Sequence, residues 1–261
     1  MIIDGKKIAT ELKLELKKNL SDRKLCLAII LVGIDPVMVK FVAQKQKIAS
    51  ELGVEMKVWE FPIEVLETDL VKVLDTLSND NSVQGILIQL PLPTHLNTKA
   101  LLNLIPAQKD VDALSENASV ESPVVLAIWE ILNRQRIDLI GKKILVVGQG
   151  QLVGRPIAIN LAQAGFEVET ADVKTTNLIE LTRQADVIIS GVGKPGLIKS
   201  DMVKAGAVLI DCGTSEQAGQ LKGDLDPACA DKASLFTPVP GGIGPIMVLK
   251  LFENLKILNN G

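Results

Sequence analysis

Residues 144–172, "ILVVGQGQLVGRPIAINLAQAGFEVETAD", run strand, glycine turn, helix, strand. That order constrains the fold more than any other feature of the chain. Two strands joined through a helix lie parallel, and the right-handed crossover sets the helix on one face of the sheet.

The same alternation fills the rest of the sequence. After an amphipathic helix over about 5–20 comes "LCLAIILVG", a buried strand by its continuous apolar character. The helix "DPVMVKFVAQKQKIASELG", the strand "EMKVWEF", a helix near 64–79 and the strand-like "VQGILIQLPLP" follow. Residues 105–125 break the rhythm with a polar, loop-like stretch, and a helix near 123–135 leads into the glycine turn. Further strands are predicted at 143–147, 166–171, 186–190, 207–211 and about 234–237, before the apolar helix "IMVLKLFENLKIL". The pattern predicts two α/β lobes, the second Rossmann-like with a mainly parallel sheet. Residues 1–119 form the first lobe, completed by a C-terminal helix at 244–261 that crosses back, and residues 120–243 form the second.

Composition narrows the function classes. The net charge is −3 and no basic run exceeds a triplet, which argues against a nucleic-acid partner. Apolar runs such as "VVLAIW" are too short to span a bilayer, and the N-terminus has no signal-peptide core, so a cytoplasmic protein is expected. Cys26, Cys212 and Cys229 have no metal-like spacing and read as small buried hydrophobes, and no metal site is expected. The single histidine, His95, reads as a surface or turn residue, and the chain has no tyrosine. A His-rich metal site and tyrosine–lysine hydride chemistry are thereby excluded.

Gly148 and Gly150 allow the tight turn and let backbone N–H groups approach a pyrophosphate at the helix N-terminus. Gly154 comes one residue later than in G-x-G-x-x-G, so the turn is a variant. Asp172 ends the next strand 22 residues after Gly150. An acid there accepts both ribose hydroxyls of NAD and repels the 2′-phosphate of NADP. Gln149 stands where an arginine would help hold that phosphate, although Lys174 lies within reach of one. NAD is favoured over NADP.

In the helix after the first strand, Met38, Phe41, Val42, Ile48, Ala49 and Leu52 fall within about 60° of one meridian, and that meridian passes through Lys45. Either the lysine stem packs on the core with its head in water, or the ammonium is held there for chemistry. Gln89 sits near the C-terminal end of an apolar strand, the end at which open α/β sheets bind ligands. Buried polar groups need partners, so Gln89 and Lys45 are expected to meet. Asp112, in "KDVDAL", either lines the same cleft or is a solvated loop acid.

Taken in order, "IIDGKKIA", "FVAQKQK", "GILIQLPLP", "KDVDA", "VVGQGQLVGRP", "KGDLD" and "TPVPGGIGP" resemble the bifunctional methylenetetrahydrofolate dehydrogenase/cyclohydrolase family over nearly the whole chain. The resemblance implies a homodimer of two-lobed subunits that binds tetrahydrofolate derivatives in the cleft between the lobes. It implies that Lys45 is catalytic, that Gln89 positions it, and that Asp112 binds the pterin. Phe41, Pro240, Gly241 and Gly242 would line the folate site. Gly148, Gln149, Gly150, Leu152, Val153, Gly154, Arg155, Asp172, Gly213 and Thr214 would hold the dinucleotide. The activity implied is oxidation of 5,10-methylenetetrahydrofolate followed by hydrolysis to 10-formyltetrahydrofolate.

The sequence departs from that pattern at several points. Phe41 replaces a tyrosine, Met38 a small residue and Met247 a threonine; "DVDG" is "DVDA", and a shortened segment carries "SPVV" at 122–125 where the family has "PCTP". Loss of the phenol beside Lys45 is expected to weaken hydrolysis more than hydride transfer. Two alternatives to an active enzyme of this family are a catalytically weakened relative that binds folate or nucleotide, and a two-lobed dehydrogenase acting on a small amino or hydroxy acid.

Overall fold

A computed structural model describes residues 1–20 and 23–260. The elements begin with α1 (Gly5–Leu20), β1 (Cys26–Val32), α2 (Pro36–Leu52), β2 (Glu55–Phe61), α3 (Glu67–Asn79), β3 (Gly85–Ile88) and α4 (Thr98–Leu102). All seven residues of β1 are buried, and alternate side chains go to opposite cores. Leu27, Ile29 and Leu31 pack with α2 residues such as Val42, Ala49 and Leu52, whereas Ala28, Ile30 and Val32 pack with Leu70, Leu74 and Leu77 of α3. A strand covered on both faces has no polar face to alternate, which is why its sequence reads as an unbroken apolar run. It lies at the centre of a parallel sheet ordered β2-β1-β3, the arrangement its helical crossovers demand.

The chain continues through α5 (Pro123–Arg134), β4 (Ile144–Val147), α6 (Gly154–Gln163), β5 (Val168–Ala171), α7 (Leu178–Gln184), β6 (Val187–Ser190), β7 (Val208–Asp211), the short strands β8 (Ser215–Gln217) and β9 (Gln220–Lys222), β10 (Leu235–Phe236) and α8 (Ile243–Leu258), and β4, β5, β6, β7 and β10 form a second sheet. Its five strands are all parallel, in the order β10-β7-β6-β4-β5. The sheet reverses its winding direction between β4 and β6, the position at which doubly wound sheets open a ligand crevice. Beyond β6 the helical crossovers give way to a 3₁₀ turn at Ser200–Met202, an antiparallel β8–β9 hairpin and a 3₁₀ turn at Pro227–Asp231. The hairpin and α4 carry no strong periodicity in the sequence and are findings of the structure.

The chain divides into one unit of Glu11–Pro123 with Val248 onward, and another of Met1–Thr10 with Val124–Met247. The first ten residues therefore do not stay with the lobe that follows them, contrary to the sequence expectation. Their backbone is taken up by the second unit: Ile3 N–H donates to Phe236 O and Phe236 N–H to Met1 O, both at 2.9 Å, and Gly5 N–H donates to Gly241 O at 2.9 Å. A β-carbon on Gly5 would lie 1.8 Å from Gly242 O, so only glycine permits that approach. From Val248 on, α8 belongs to the first unit, where Val248, Leu251, Phe252 and Leu255 join the core shared with β1 and α2. Gly261, at the end of the predicted C-terminal segment, lies outside the described residues. Cys26 and Cys229 are buried as expected, but Cys212, just past the end of β7, is only half-buried. Among the described residues no helix is long and apolar enough to cross a membrane.

Candidate active site

In the first unit, α2 is fixed at both ends before it presents any chemistry. Asp35 caps it, its Oδ1 accepting from Val37 N–H at 2.8 Å and Met38 N–H at 3.1 Å, and Pro36 supplies the first turn. Such a cap contributes about 1 kcal/mol. Gly53, at φ 76°, ends the helix in the left-handed conformation. Between these stops Met38, Val42, Ala49 and Leu52 are buried, and Lys45 is half-buried on the same side. Phe41 stands one turn before it, also half-buried.

Lys45 Nζ donates to Gln89 Oε1 at 2.8 Å. Gln89 is 8% exposed, just past the end of β3, with its backbone N–H on Ile30 O at 2.8 Å and its Nε2 on Leu90 O at 3.0 Å. The amide is thus oriented at both ends, and its oxygen is committed to the ammonium. Burial holds the Lys45 pKa below the usual lysine range, an effect opposed by the charge of Asp112. Burial likewise pushes Asp112 up to about 6, against the pull of Lys45 and with a further push from Asp110. Asp112 is no freely solvated loop acid: it is half-buried and electrostatically linked to the lysine.

The loop that carries Asp112 is held from several sides. Buried Asp110 accepts Ser115 N–H through Oδ2 at 2.8 Å, closing a turn in which Ala113 is forced to φ 54°. Asn254, fully buried on α8, donates to Val111 O at 3.0 Å and to Glu121 O at 2.8 Å. Sequence patterns did not single out Asp110 or Asn254. The one available signal was an asparagine at a core position of an apolar helix.

In the second unit, the glycine turn joins β4 to α6. Gly148, at φ 94°, donates its N–H to Ala171 O at 2.8 Å. A β-carbon on Gly154 would lie 1.7 Å from Gly148 O, so this late third glycine is required for the helix to start against the turn. Gly150 is different. A β-carbon there would meet nothing within 4 Å, so the protein's own packing does not require a glycine. An exposed backbone left bare at a helix N-terminus suits close approach by a pyrophosphate. Gln149 folds back, Nε2 donating to Gly148 O at 2.8 Å. Val153 fills the space beside Gly191, whereas Leu152 and Arg155 are exposed.

Asp172, exposed just past β5, has its Oδ1 turned onto Lys174 N–H at 2.8 Å. Gly213 is buried just past the end of β7, and Thr214 after it is exposed. Pro240, Gly241 and Gly242 form the turn into α8; Gly241 is at φ 106° and Gly242 is buried. Asp211 and Asp224, fully buried beneath these loops, were also not assigned a role from the sequence, although Asp224 lies in the "KGDLD" motif.

A five-stranded parallel sheet opening on a glycine turn, with an exposed acid past the end of the neighbouring strand, in one chain with an α/β unit that holds a lysine on a buried amide, defines a two-unit nicotinamide-dinucleotide-dependent oxidoreductase. The chain belongs to the tetrahydrofolate dehydrogenase/cyclohydrolase family: the model of its catalytic domain matches residues 3–112, and that of its NAD(P)-binding domain matches residues 122–260. The bifunctional protein FolD of Halothermothrix orenii is 38% identical, over 97% of this chain and 95% of that protein. The crystal structure of the bifunctional FolD methylenetetrahydrofolate dehydrogenase/cyclohydrolase from Campylobacter jejuni superposes with a TM-score of 0.94 at 35% identity, covering 99% of this chain and 98% of that one. The Trypanosoma brucei enzyme, complexed with NADP and an inhibitor, gives 0.93 at 29% identity over 99% and 96% of the two chains.

Proposed function

We propose that this protein oxidises 5,10-methylenetetrahydrofolate to 5,10-methenyltetrahydrofolate with NAD, and hydrolyses that product to 10-formyltetrahydrofolate more slowly than it forms it. The observation that carries this reading is the 2.8 Å bond between Lys45 and Gln89. It keeps a cation of lowered pKa in an apolar setting.

The two steps ask different things of the chain. In the first, hydride leaves the methylene carbon, driven by the nitrogen lone pairs of the folate, and no protein base is needed. The nicotinamide supplies the acceptor; the protein's task is to hold the two reactants in line. In the second, water adds to the methenyl carbon and the ring opens, which requires a proton to leave the water and another to reach the departing nitrogen. A lysine whose pKa burial lowers suits such transfers better than an ordinary, solvated one. Gln89 keeps the amine aimed, and Asp112 is read as the acceptor for the pterin's N–H donors. Pro240, Gly241 and Gly242 are assigned to the folate site on family resemblance. Phe41, lacking a hydroxyl beside Lys45, is the reason hydrolysis is placed second.

For the cofactor, Gly148, Gly150, Gly154, Leu152, Val153 and Arg155 are assigned to the pyrophosphate turn, Asp172 and Gln149 to the ribose, and Gly213 and Thr214 to the nicotinamide side. The exposed carboxylate of Asp172 and the neutral Gln149 support NAD over NADP. A homodimer is the assembly read from the family resemblance, and light scattering tests it; the cytoplasmic assignment rests on the short apolar runs and the charged, amphipathic N-terminal segment. The decisive experiment is a steady-state assay with methylenetetrahydrofolate and either dinucleotide, following methenyl absorbance. Transient methenyl accumulation with a large preference for NAD is expected. Equal efficiency with NADP would remove the cofactor assignment, and no turnover with either would remove the function.

A further inference from the structure

Asp211 and Asp224 are 1% and 0% exposed, and neither belongs to the glycine turn. Asp224 Oδ2 accepts the Ser190 hydroxyl at 2.8 Å and Val192 N–H at 2.7 Å, and its Oδ1 accepts Lys194 N–H at 2.7 Å. Asp211 Oδ1 accepts the N–H groups of Gly213 at 2.9 Å and Asp224 at 3.1 Å, and its Oδ2 accepts Leu225 N–H at 2.9 Å. The surrounding backbone is cut to fit. A β-carbon on Gly213 would lie 2.2 Å from Asp224 Cγ, and one on Gly223 would lie 2.0 Å from Asp211 Oδ2.

Two neighbouring buried carboxylates are an expensive way to stabilise a fold, and burial pushes the Asp211 carboxyl up to about 7. What they do locally is clear. Asp224 ties down the segment that leaves β6, and Asp211 ties down the one that leaves β7. The glycine turn follows β4 and Asp172 follows β5, so a dinucleotide with its adenosine ribose at β5 extends its other half over the ends of β6 and β7.

We propose that Asp211 and Asp224 are positioning residues for the nicotinamide half of the cofactor, holding the 191–194 and 213–214 segments in the shape that receives it. This rests on the reading that a dinucleotide binds along the C-terminal edge of this sheet. Asp224→Asn replaces one acceptor by an NH₂ group that faces backbone N–H donors, and Ser190→Ala removes a single donor. Calorimetric titration of each full-length variant with NAD, and separately with ADP, divides the two halves of the site. NAD is expected to bind about tenfold more weakly to Asp224→Asn and about threefold more weakly to Ser190→Ala, the scale of one charge-assisted bond and one partial loss. ADP, which reaches only the β4 and β5 side, is expected to bind both variants as it binds the wild type. Unchanged NAD affinity, or equal weakening of NAD and ADP, would overturn the proposal. Failure of the wild-type protein to bind NAD or NADP would overturn the functional reading itself, and this inference with it.

Discussion

Lys45 and Gln89 are 44 residues apart in sequence and meet at 2.8 Å, joining the middle of α2 to the end of β3. The amide oxygen has the ammonium as its partner while the amide nitrogen is spent on its own backbone at Leu90. The lysine is thereby held in one orientation on an apolar face.

Lys45→Met keeps the stem and removes the amine. Hydrolysis of added methenyltetrahydrofolate is expected to fall at least about a hundredfold, the usual contribution of a positioned acid or base. Hydride transfer should lose much less. Decay of methenyl absorbance above the uncatalysed rate measures the first, and reduced-nicotinamide formation the second. Wild-type hydrolysis in the variant would refute the assigned role.

Phe41→Tyr returns a hydroxyl one turn from Lys45. Hydrolysis should rise by up to about tenfold, the worth of one additional hydrogen bond, with little change in dehydrogenation. The ratio of methenyl to formyl product at steady state reports the change, and a constant ratio would remove Phe41 from the explanation.

Asp112 carries a pH signature of known sign. Its pKa is raised to about 6 from an ordinary 3.8, so the native state retains the proton longer than the unfolded chain. The penalty of its charge is absent below about pH 4, develops between about 4 and 6, and is fully present above that. Asp112→Asn should therefore raise thermal stability at pH 7, with the gain vanishing in acid, while folate affinity drops. In the wild type, kcat/KM for the folate should fall below about pH 6. A stability gain equal at pH 4 and pH 7 would contradict the titration.

The two glycines of the turn should separate packing from binding. Gly154→Ala drives a methyl into Gly148 O and is expected to cost about 3 kcal/mol of stability. Gly150→Ala meets no protein atom and should leave stability within about 0.5 kcal/mol, yet weaken NAD binding by about tenfold. Denaturant melts and titration with NAD measure the pair. Undiminished NAD affinity in Gly150→Ala would show that the bare backbone is not reserved for a ligand.

Ala113 sits at φ 54°, where a β-carbon is strained. Ala113→Gly relieves that strain at some cost in chain entropy, for a net gain of up to about 1 kcal/mol. A lowered melting temperature would mean that the methyl is packed to advantage.

The sequence alone was enough for the parallel α/β class, the strand positions, the glycine turn and the apolar meridian through Lys45. These are local matters: the period of apolar residues and the stereochemistry of glycine act within a few residues, whatever the rest of the chain does. Tertiary structure decided what depends on distant segments. The first ten residues joined the second unit because their backbone found partners near Phe236 and Gly241. The crossovers after β6 shrank to 3₁₀ turns and a hairpin where no helical period instructed them. Asp110, Asn254, Asp211 and Asp224 look like ordinary polar residues in the sequence, because the cost of burying them and the donors that offset it exist only once chain segments far apart have closed around them.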